Sequence, residues 1–276
     1  MKVNYQLEQK IHLSAAGCKI EMAGTRLLIR RVSYWLWRDI LDLLETIYSR
    51  RSVREFKDGD TPEGQVPDSK VELILDTARY APSFENVQGW RFIVVRDKEM
   101  REMLSESAKK IAQNLFATSY DLTEQRLYYL PKEDRPGVIR RLADGSLFDY
   151  NRIAPVNLIC CYAKAHHDLS LGLGWGFDEG WGGYSLTGLS MAAQNMWLTA
   201  TNMGLGMAWS GMPVLDLRNR SVLKEALGIP PGWETGFVLA IGVPKRDRHL
   251  APPRFPLEAI AFNERWGRPY RRLGIR

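Results

Sequence analysis

From Gly180 to Leu215 the chain carries no charged residue, and this run constrains the fold more than any other stretch. Its middle, residues 186–203, reads as a helix with apolar side chains around most of its circumference. A membrane span is the first alternative. Gln194, Asn195, Thr199, Thr201 and Asn202 would then sit in lipid, and the length is only marginal for a bilayer, so a span is rejected. A helix that is apolar nearly all round is normally buried. In a chain of 276 residues it is expected to be a central core helix and also to meet a second copy of the chain, as an obligate homodimer.

Around it, hydrophobic periodicity predicts helices and buried strands. Ile40, Leu43, Leu44 and Ile47 form one stripe on a helix over 39–48. A second helix starts at Ser69, where Ser69-Lys70-Val71-Glu72 has the capping-box pattern, and stops before Pro82. Residues 57–68 read as loop and 98–150 as amphipathic helices with a break at 131–137. Phe92-Ile93-Val94-Val95 is continuously apolar, as in a strand covered on both faces. Residues 156–162 and 237–243 give two more buried strands, and 206–209 a short one.

Composition excludes some classes. The net charge of +6 is concentrated in residues 1–38, where seven Lys and Arg face two Glu, so the rest is nearly neutral. A basic nucleic-acid face on the main body is not expected, and a basic arm over residues 1–38 is left as an open alternative. Residues 1–38 have weak periodicity and are set aside as a basic extension without assigned role. Cys160 and Cys161 are adjacent in a strand and point to opposite faces, a poor disulfide and a poor metal pair. With no zinc-ligand spacing among the histidines, no metal site and a reducing cytoplasmic setting are expected.

Two stretches suggest ligand chemistry. Ser49-Arg50-Arg51-Ser52-Val53-Arg54-Glu55-Phe56 packs three guanidinium groups and serine hydroxyls into a short span, suited to a phosphate. A solvated basic helix end is the plain alternative. Residues 168–183 interleave six glycines with Trp175, Phe177 and Trp181. The dinucleotide fingerprint fails there, because Phe177 stands where its third glycine belongs. An aromatic lid over a planar ligand and a glycine-rich surface loop both remain open.

Three segments, in order, resemble the FMN-dependent nitroreductase family. They are residues 49–56, residues 81–95 (APSFENVQGWRFIVV) and the C-terminal Leu227-Gly228-Ile229-Pro230, Val238–Pro244 and Arg254-Phe255-Pro256-Leu257. The resemblance covers roughly residues 39–266. The family usually has proline where this chain has Gly89. The resemblance implies an α+β, three-layer sandwich with a central, mostly antiparallel sheet flanked by helices. It also implies a homodimer with a domain-swapped C-terminal arm and FMN at the subunit interface. Arg50 and Ser52 would hold the FMN phosphate, with Arg254 closing on it and Arg51 nearby. Arg54 would face N1/O2 of the ring, and Asn86 and Gln88 its pyrimidine edge or ribityl chain. Ser83, Trp209, Ser210 and Gly211 complete the set, the last two through backbone N–H groups near N5 and O4. Trp175, Phe177, Trp181 and Tyr184 are candidate substrate-stacking groups.

The implied activity is an oxidoreductase that takes electrons from NAD(P)H and passes them to a nitroaromatic, quinone or related small molecule in a ping-pong cycle. Reductive dehalogenation, flavin fragmentation to dimethylbenzimidazole and non-catalytic flavin binding are alternatives. No general base is evident, and none is required where the flavin carries the chemistry. No nucleic-acid or membrane partner is expected.

Overall fold

The computed structural model describes residues 11–14, 17–22, 25–28, 43–116, 127–128, 130–163, 180–247 and 251–270, with backbone alone for 11–28 and 180–183. The basic N-terminal stretch is more regular than its weak periodicity suggests. Three short strands, β1 (Ile11–Ser14), β2 (Gly17–Met22) and β3 (Thr25–Leu28), form an antiparallel meander in that order. Ile20 pairs with Ile11 on one side and with Leu27 on the other. Cys18, Ile20 and Met22 alternate with Lys19 and Glu21, which is the strand signal the charge count obscures.

The first helix, α1 (Leu43–Ser49), carries Leu43, Leu44 and Ile47 of the predicted stripe and buries none of them, while Ile40 lies outside the described residues. Leu43 is 64% exposed and Tyr48 74%, and Thr46 alone is buried. In α2 (Asp68–Ala78) the expected capping box does not form. Pro67 takes the N-cap position and Ser69 lies inside the helix. The carbonyl of Pro67 instead accepts from the N–H groups of Lys70 and Val71, at 3.1 and 3.3 Å.

The main sheet has four strands, β4 (Trp90–Val95), β5 (Val156–Ala163), β6 (Gly206–Ser210) and β7 (Trp233–Gly242). They run antiparallel in the order β4-β5-β7-β6. β5 and most of β7 are buried on both faces, as their apolar runs require. β4 is not: it is an edge strand and Val94 is 41% exposed, so its continuous apolar run overstates its cover.

One face of the sheet is covered by α3 (Lys98–Phe116), α4 (Arg135–Ala143) and the short α5 (Tyr150–Ile153). The expected break over 131–137 ends earlier, because Pro136 and Gly137 lie in the first turn of α4. Proline is tolerated there, where its missing N–H has no helical partner to lose. The other face is covered by α2 and α6 (Gly180–Asn202). Leu189, Ala192, Met196 and Ala200 of α6 pack with Ile74 and Ala78 onto Leu158, Leu239 and Ile241. Each large side chain among these contributes on the order of 1.5–3 kcal/mol by leaving water. The predicted core helix is therefore present, although Leu186 and Met191 on its other side are 37% and 43% exposed. Two further helices, α7 (Met212–Leu215) and α8 (Leu217–Ala226), pack on the α3 side. Cys160 belongs to one core and Cys161 to the other, so the two do face opposite ways. Burial pushes both thiols up, Cys161 to about 11, which leaves them protonated and unreactive.

Two fasteners hold the loops at the rim of the sheet. Arg101 of α3, only 4% exposed, donates to the carbonyls of Arg96, Arg152 and Ala154 at 3.2, 2.7 and 3.3 Å and pairs with Asp60. It secures the 57–68 loop against the body. In addition, residues 55–57 are zipped to 243–245 by Lys57 N–H to Val243 O and Lys245 N–H to Glu55 O, both 2.9 Å. Beyond this neck the tail, with α9 (Leu257–Ile260), is almost entirely solvent-exposed, and Trp266 is 91% exposed. No described helix is long and apolar enough to cross a membrane.

Candidate functional site

The arginine motif lies along the free edge of β6. Ser52 forms a parallel bridge with Met207, and Val53 N–H donates to Met207 O at 3.0 Å. The approach requires Gly206, where an added Cβ would come within 2.7 Å of the Val53 side chain. Alternation along this edge buries Val53 and leaves Ser52 and Arg54 exposed.

Arg50 lies across the face of Trp197 of α6, with its guanidinium carbon 4.9 Å from the ring centroid. The same indole donates from Nε1 to Arg51 O at 3.2 Å, fixing the Arg51–Ser52 peptide just after the two arginines. Burial, followed by the charges of Arg254 and Arg51, depresses the Arg50 guanidinium below its ordinary value. Arg51 turns back to donate to Tyr48 O and Arg50 O at 2.6 and 2.9 Å, and Arg254 donates to Pro252 O and Pro253 O at 3.2 and 3.4 Å. Among the described residues no ion pair takes Arg50, Arg51, Arg54 or Arg254. The charges of Arg50, Arg51 and Arg254 thus lie near one another, from distant parts of the chain, without an ion-paired carboxylate among the described residues to neutralise them. Such an arrangement favours a bound anion.

The second motif forms a tight loop before β4. Glu85, Asn86 and Gln88 adopt left-handed φ values of 48°, 56° and 49°. Asn tolerates this region, whereas Glu and Gln are held there against a steric cost. The Gln88 N–H donates to Ser83 Oγ at 3.0 Å, and Gln88 Nε2 reaches Asn86 Oδ1 at 3.3 Å. Ser83, Asn86 and Gln88 are therefore brought together. A proline at position 89 would push Gln88 towards extended backbone; Gly89 leaves it free to take the left-handed turn. Gly188 of α6 lets the loop close down, since a Cβ there would lie 3.2 Å from the Trp90 ring and 3.5 Å from Ser83. Glu85→Gly should relieve strain and raise the unfolding free energy by about 0.5–1 kcal/mol, read by thermal denaturation.

At the end of β6 Trp209 and Ser210 part, and Gly211 lies against the Trp209 ring, where an added Cβ would come within 2.8 Å. Trp209 is 48% exposed, with its ring 5.7 Å from Phe237. The Ser210 side chain is 1% exposed and turned into the core, where it accepts from Asn151 Nδ2 at 3.4 Å. Its hydroxyl is thus not presented to the surface. Of the expected stacking groups, Tyr184 lies on Phe84, with centroids 4.8 Å apart and planes inclined by 18°. That contact ties α6 to the Asn86–Gln88 loop. Trp175 and Phe177 lie outside the described residues, as does the Trp181 side chain.

Sequence reasoning missed Trp197 and Asn151. Trp197 is hidden because it reads as one more apolar position of the core helix, although tryptophan carries an N–H that needs a partner. A groove of about 640 Å³ between α3 and α8, lined by Lys110, Asn114, Leu115 and Asp216 among others, lies in the layer opposite α6 and touches none of these groups.

The sequence profile of the Nitroreductase family matches residues 47–243. The chain belongs to the nitroreductase family. Among relatives of this nitroreductase-family chain, an Archaeoglobus fulgidus protein with the provisional name NADH dehydrogenase/NAD(P)H nitroreductase is 30% identical over 227 residues, 82% of this chain and 99% of its own. The 5,6-dimethylbenzimidazole synthase of Rhodospirillum rubrum is 30% identical over 233 residues, 84% of this chain and 93% of its own. Among solved structures, a BluB-like flavoprotein from Clostridium difficile superposes with a TM-score of 0.59 at 24% identity, covering 82% of this chain and all of that one. Iodotyrosine deiodinase bound to FMN and 3-iodo-L-tyrosine gives 0.56 at 18%, covering 78% and 96%. These likenesses establish the nitroreductase fold, with its helices and antiparallel sheet, and family membership makes this chain an oxidoreductase.

Proposed function

We propose that this oxidoreductase binds FMN, takes reducing equivalents from NAD(P)H, passes them to an electron-poor small molecule, and works as a homodimer. The observation that carries the reading is the nearness of Arg50, Arg51 and Arg254, unpaired with any described carboxylate, with the exposed Ser52 next in the chain. This donor set fits a phosphate dianion: forked N–H groups for its oxygens and one neutral hydroxyl. Asn86 and Gln88, with donor and acceptor atoms on each amide, suit the uracil-like edge of the ring. Arg54 would supply positive charge where reduction builds negative charge. Bound FMN supplies the two-electron chemistry, so no side chain needs to act as a general base. The chain's own residues bind, orient and polarise.

Exposed apolar surface supports the dimer. Leu43, Ile47 and Tyr48 of α1, Met191 of α6, and Phe255 and Trp266 of the tail all stand in solvent in the single chain. A partner covering them would enclose the arginine cluster, which one chain leaves open. The R. rubrum synthase favours a second reading, oxygen-dependent fragmentation of the flavin itself. The purified protein should be yellow with the absorption of oxidised flavin, sediment as a dimer, and bleach within seconds when mixed with NADH or NADPH. Colourless, monomeric protein indifferent to added FMN overturns the proposal. Slow, oxygen-dependent loss of flavin absorbance without recovery selects the second reading.

A further inference from the structure

Trp197 meets the arginine motif twice. Its indole Nε1 donates to Arg51 O at 3.2 Å, and the guanidinium carbon of Arg50 lies over its ring, 4.9 Å from the centroid. The residue is itself anchored from below. Its side chain packs against the core between α2, α6 and the sheet, and its carbonyl accepts from Thr201 Oγ1 at 2.9 Å. The two contacts govern two different donors. A cation held against a π face needs no acceptor atom, so its N–H groups stay available to an anion. Among the described residues no acceptor takes the Arg50 side chain. The Arg51–Ser52 peptide is trans, so Ser52 N–H points opposite to the carbonyl that the indole holds. Val53 N–H, one residue on, is taken by Met207 O of β6, whereas no described acceptor takes Ser52 N–H. One indole thus sets the place of a side-chain donor and the direction of a main-chain donor.

We propose that Trp197 is a positioning residue for the flavin phosphate, holding the Arg50 guanidinium by its ring face and the Arg51–Ser52 peptide by its N–H, so that both donors stand ready for one phosphate group. The proposal rests on the FMN reading above and deepens it, because it gives the core helix α6 a share in the phosphate subsite. An arginine side chain loses rotamer freedom when it binds an anion, and one already pinned to a ring loses less. A carboxylate could pin it too, but would cancel the charge that the phosphate needs. The indole orders the guanidinium and leaves its charge uncancelled. Leucine at position 197 would serve the helix and the core as well, yet would supply neither contact.

The test compares FMN with riboflavin, which has the same ring and ribityl chain but no phosphate. Each is titrated into the flavin-free full chain and followed by flavin fluorescence. The wild type should bind FMN more tightly than riboflavin. Trp197→Leu removes both contacts, and Trp197→Phe keeps a ring face but no N–H. The preference for FMN over riboflavin should fall about tenfold in Trp197→Leu and about threefold in Trp197→Phe, as expected for losing a cation–π contact with a hydrogen bond, and the hydrogen bond alone. Riboflavin affinity should stay within about twofold in both variants, since neither contact serves the ring. A purely structural role would weaken both flavins alike; an unchanged ratio in Trp197→Leu therefore overturns the inference. If Trp197→Leu does not fold, Trp197→Phe decides, and an unchanged ratio there overturns it equally. A wild-type protein that binds the two flavins alike, or binds neither, defeats the underlying FMN reading instead.

Discussion

Arg50→Met is expected to weaken FMN binding by about 10- to 100-fold while leaving the flavin-free protein as stable as the wild type. The first number is the loss of one charge-assisted hydrogen bond to phosphate, about 1.5–3 kcal/mol in a partly buried site. The second follows from two small terms of opposite sign. Removing the guanidinium relieves its repulsion by Arg254 and Arg51, an effect of about 0.2–1 kcal/mol for charges near the surface. It also removes the contact with the Trp197 ring, about 0.5–1 kcal/mol. Methionine still covers the indole. Fluorescence titration with FMN and a melting curve of the apoprotein separate the two roles. A variant that melts many degrees lower makes Arg50 a structural residue, and one that binds FMN normally removes it from the site.

Arg101→Met should behave in the opposite way, destabilising the fold without touching the flavin. The side chain is buried, satisfies three carbonyls and pairs with Asp60. Its loss leaves buried acceptors unpaired, at about 3 kcal/mol in all, or a melting temperature lower by about 6–12 °C for a chain of this size. The pH dependence has a defined sign. The hydrogen bond from Arg101 holds the Asp60 carboxyl below its ordinary 3.8. A depressed carboxylate contributes stability that is present above that value and lost as pH falls through the folded-state value. The gap between wild type and Arg101→Met should therefore be constant from pH 7 down to about 4 and narrow below. A gap that stays constant through pH 3 would remove Asp60 from the account.

The core is legible in the sequence because its signals are local and redundant. The uncharged run marks α6, and the apolar runs at 156–162 and 237–243 mark the two central strands, since only buried segments tolerate such composition. Val94 reads as covered yet is exposed, because edge and centre differ in sheet order, which periodicity does not encode. The capping box over Ser69–Glu72 does not form because Pro67 offers its carbonyl one turn earlier. The meander at 11–28 is obscured because its strands are short and their alternation is crossed by basic residues. In the site, the arginines and amides can be nominated by residue type. Their partners cannot: Trp197 lies far from Arg50 in the chain, and an indole N–H leaves no mark in sequence spacing.

The zipper between residues 55–57 and 243–245 has a practical consequence. It gathers the segments leading towards both ends of the polypeptide at one place, with Arg50 just before it and Arg254 soon after. Cutting the chain between Lys245 and Arg254 would therefore remove one arginine from the cluster while leaving the four-stranded sheet, whose last strand ends at Gly242, complete. Protein trimmed in this way is the preparation in which the tail's share of cofactor occupancy should be measured.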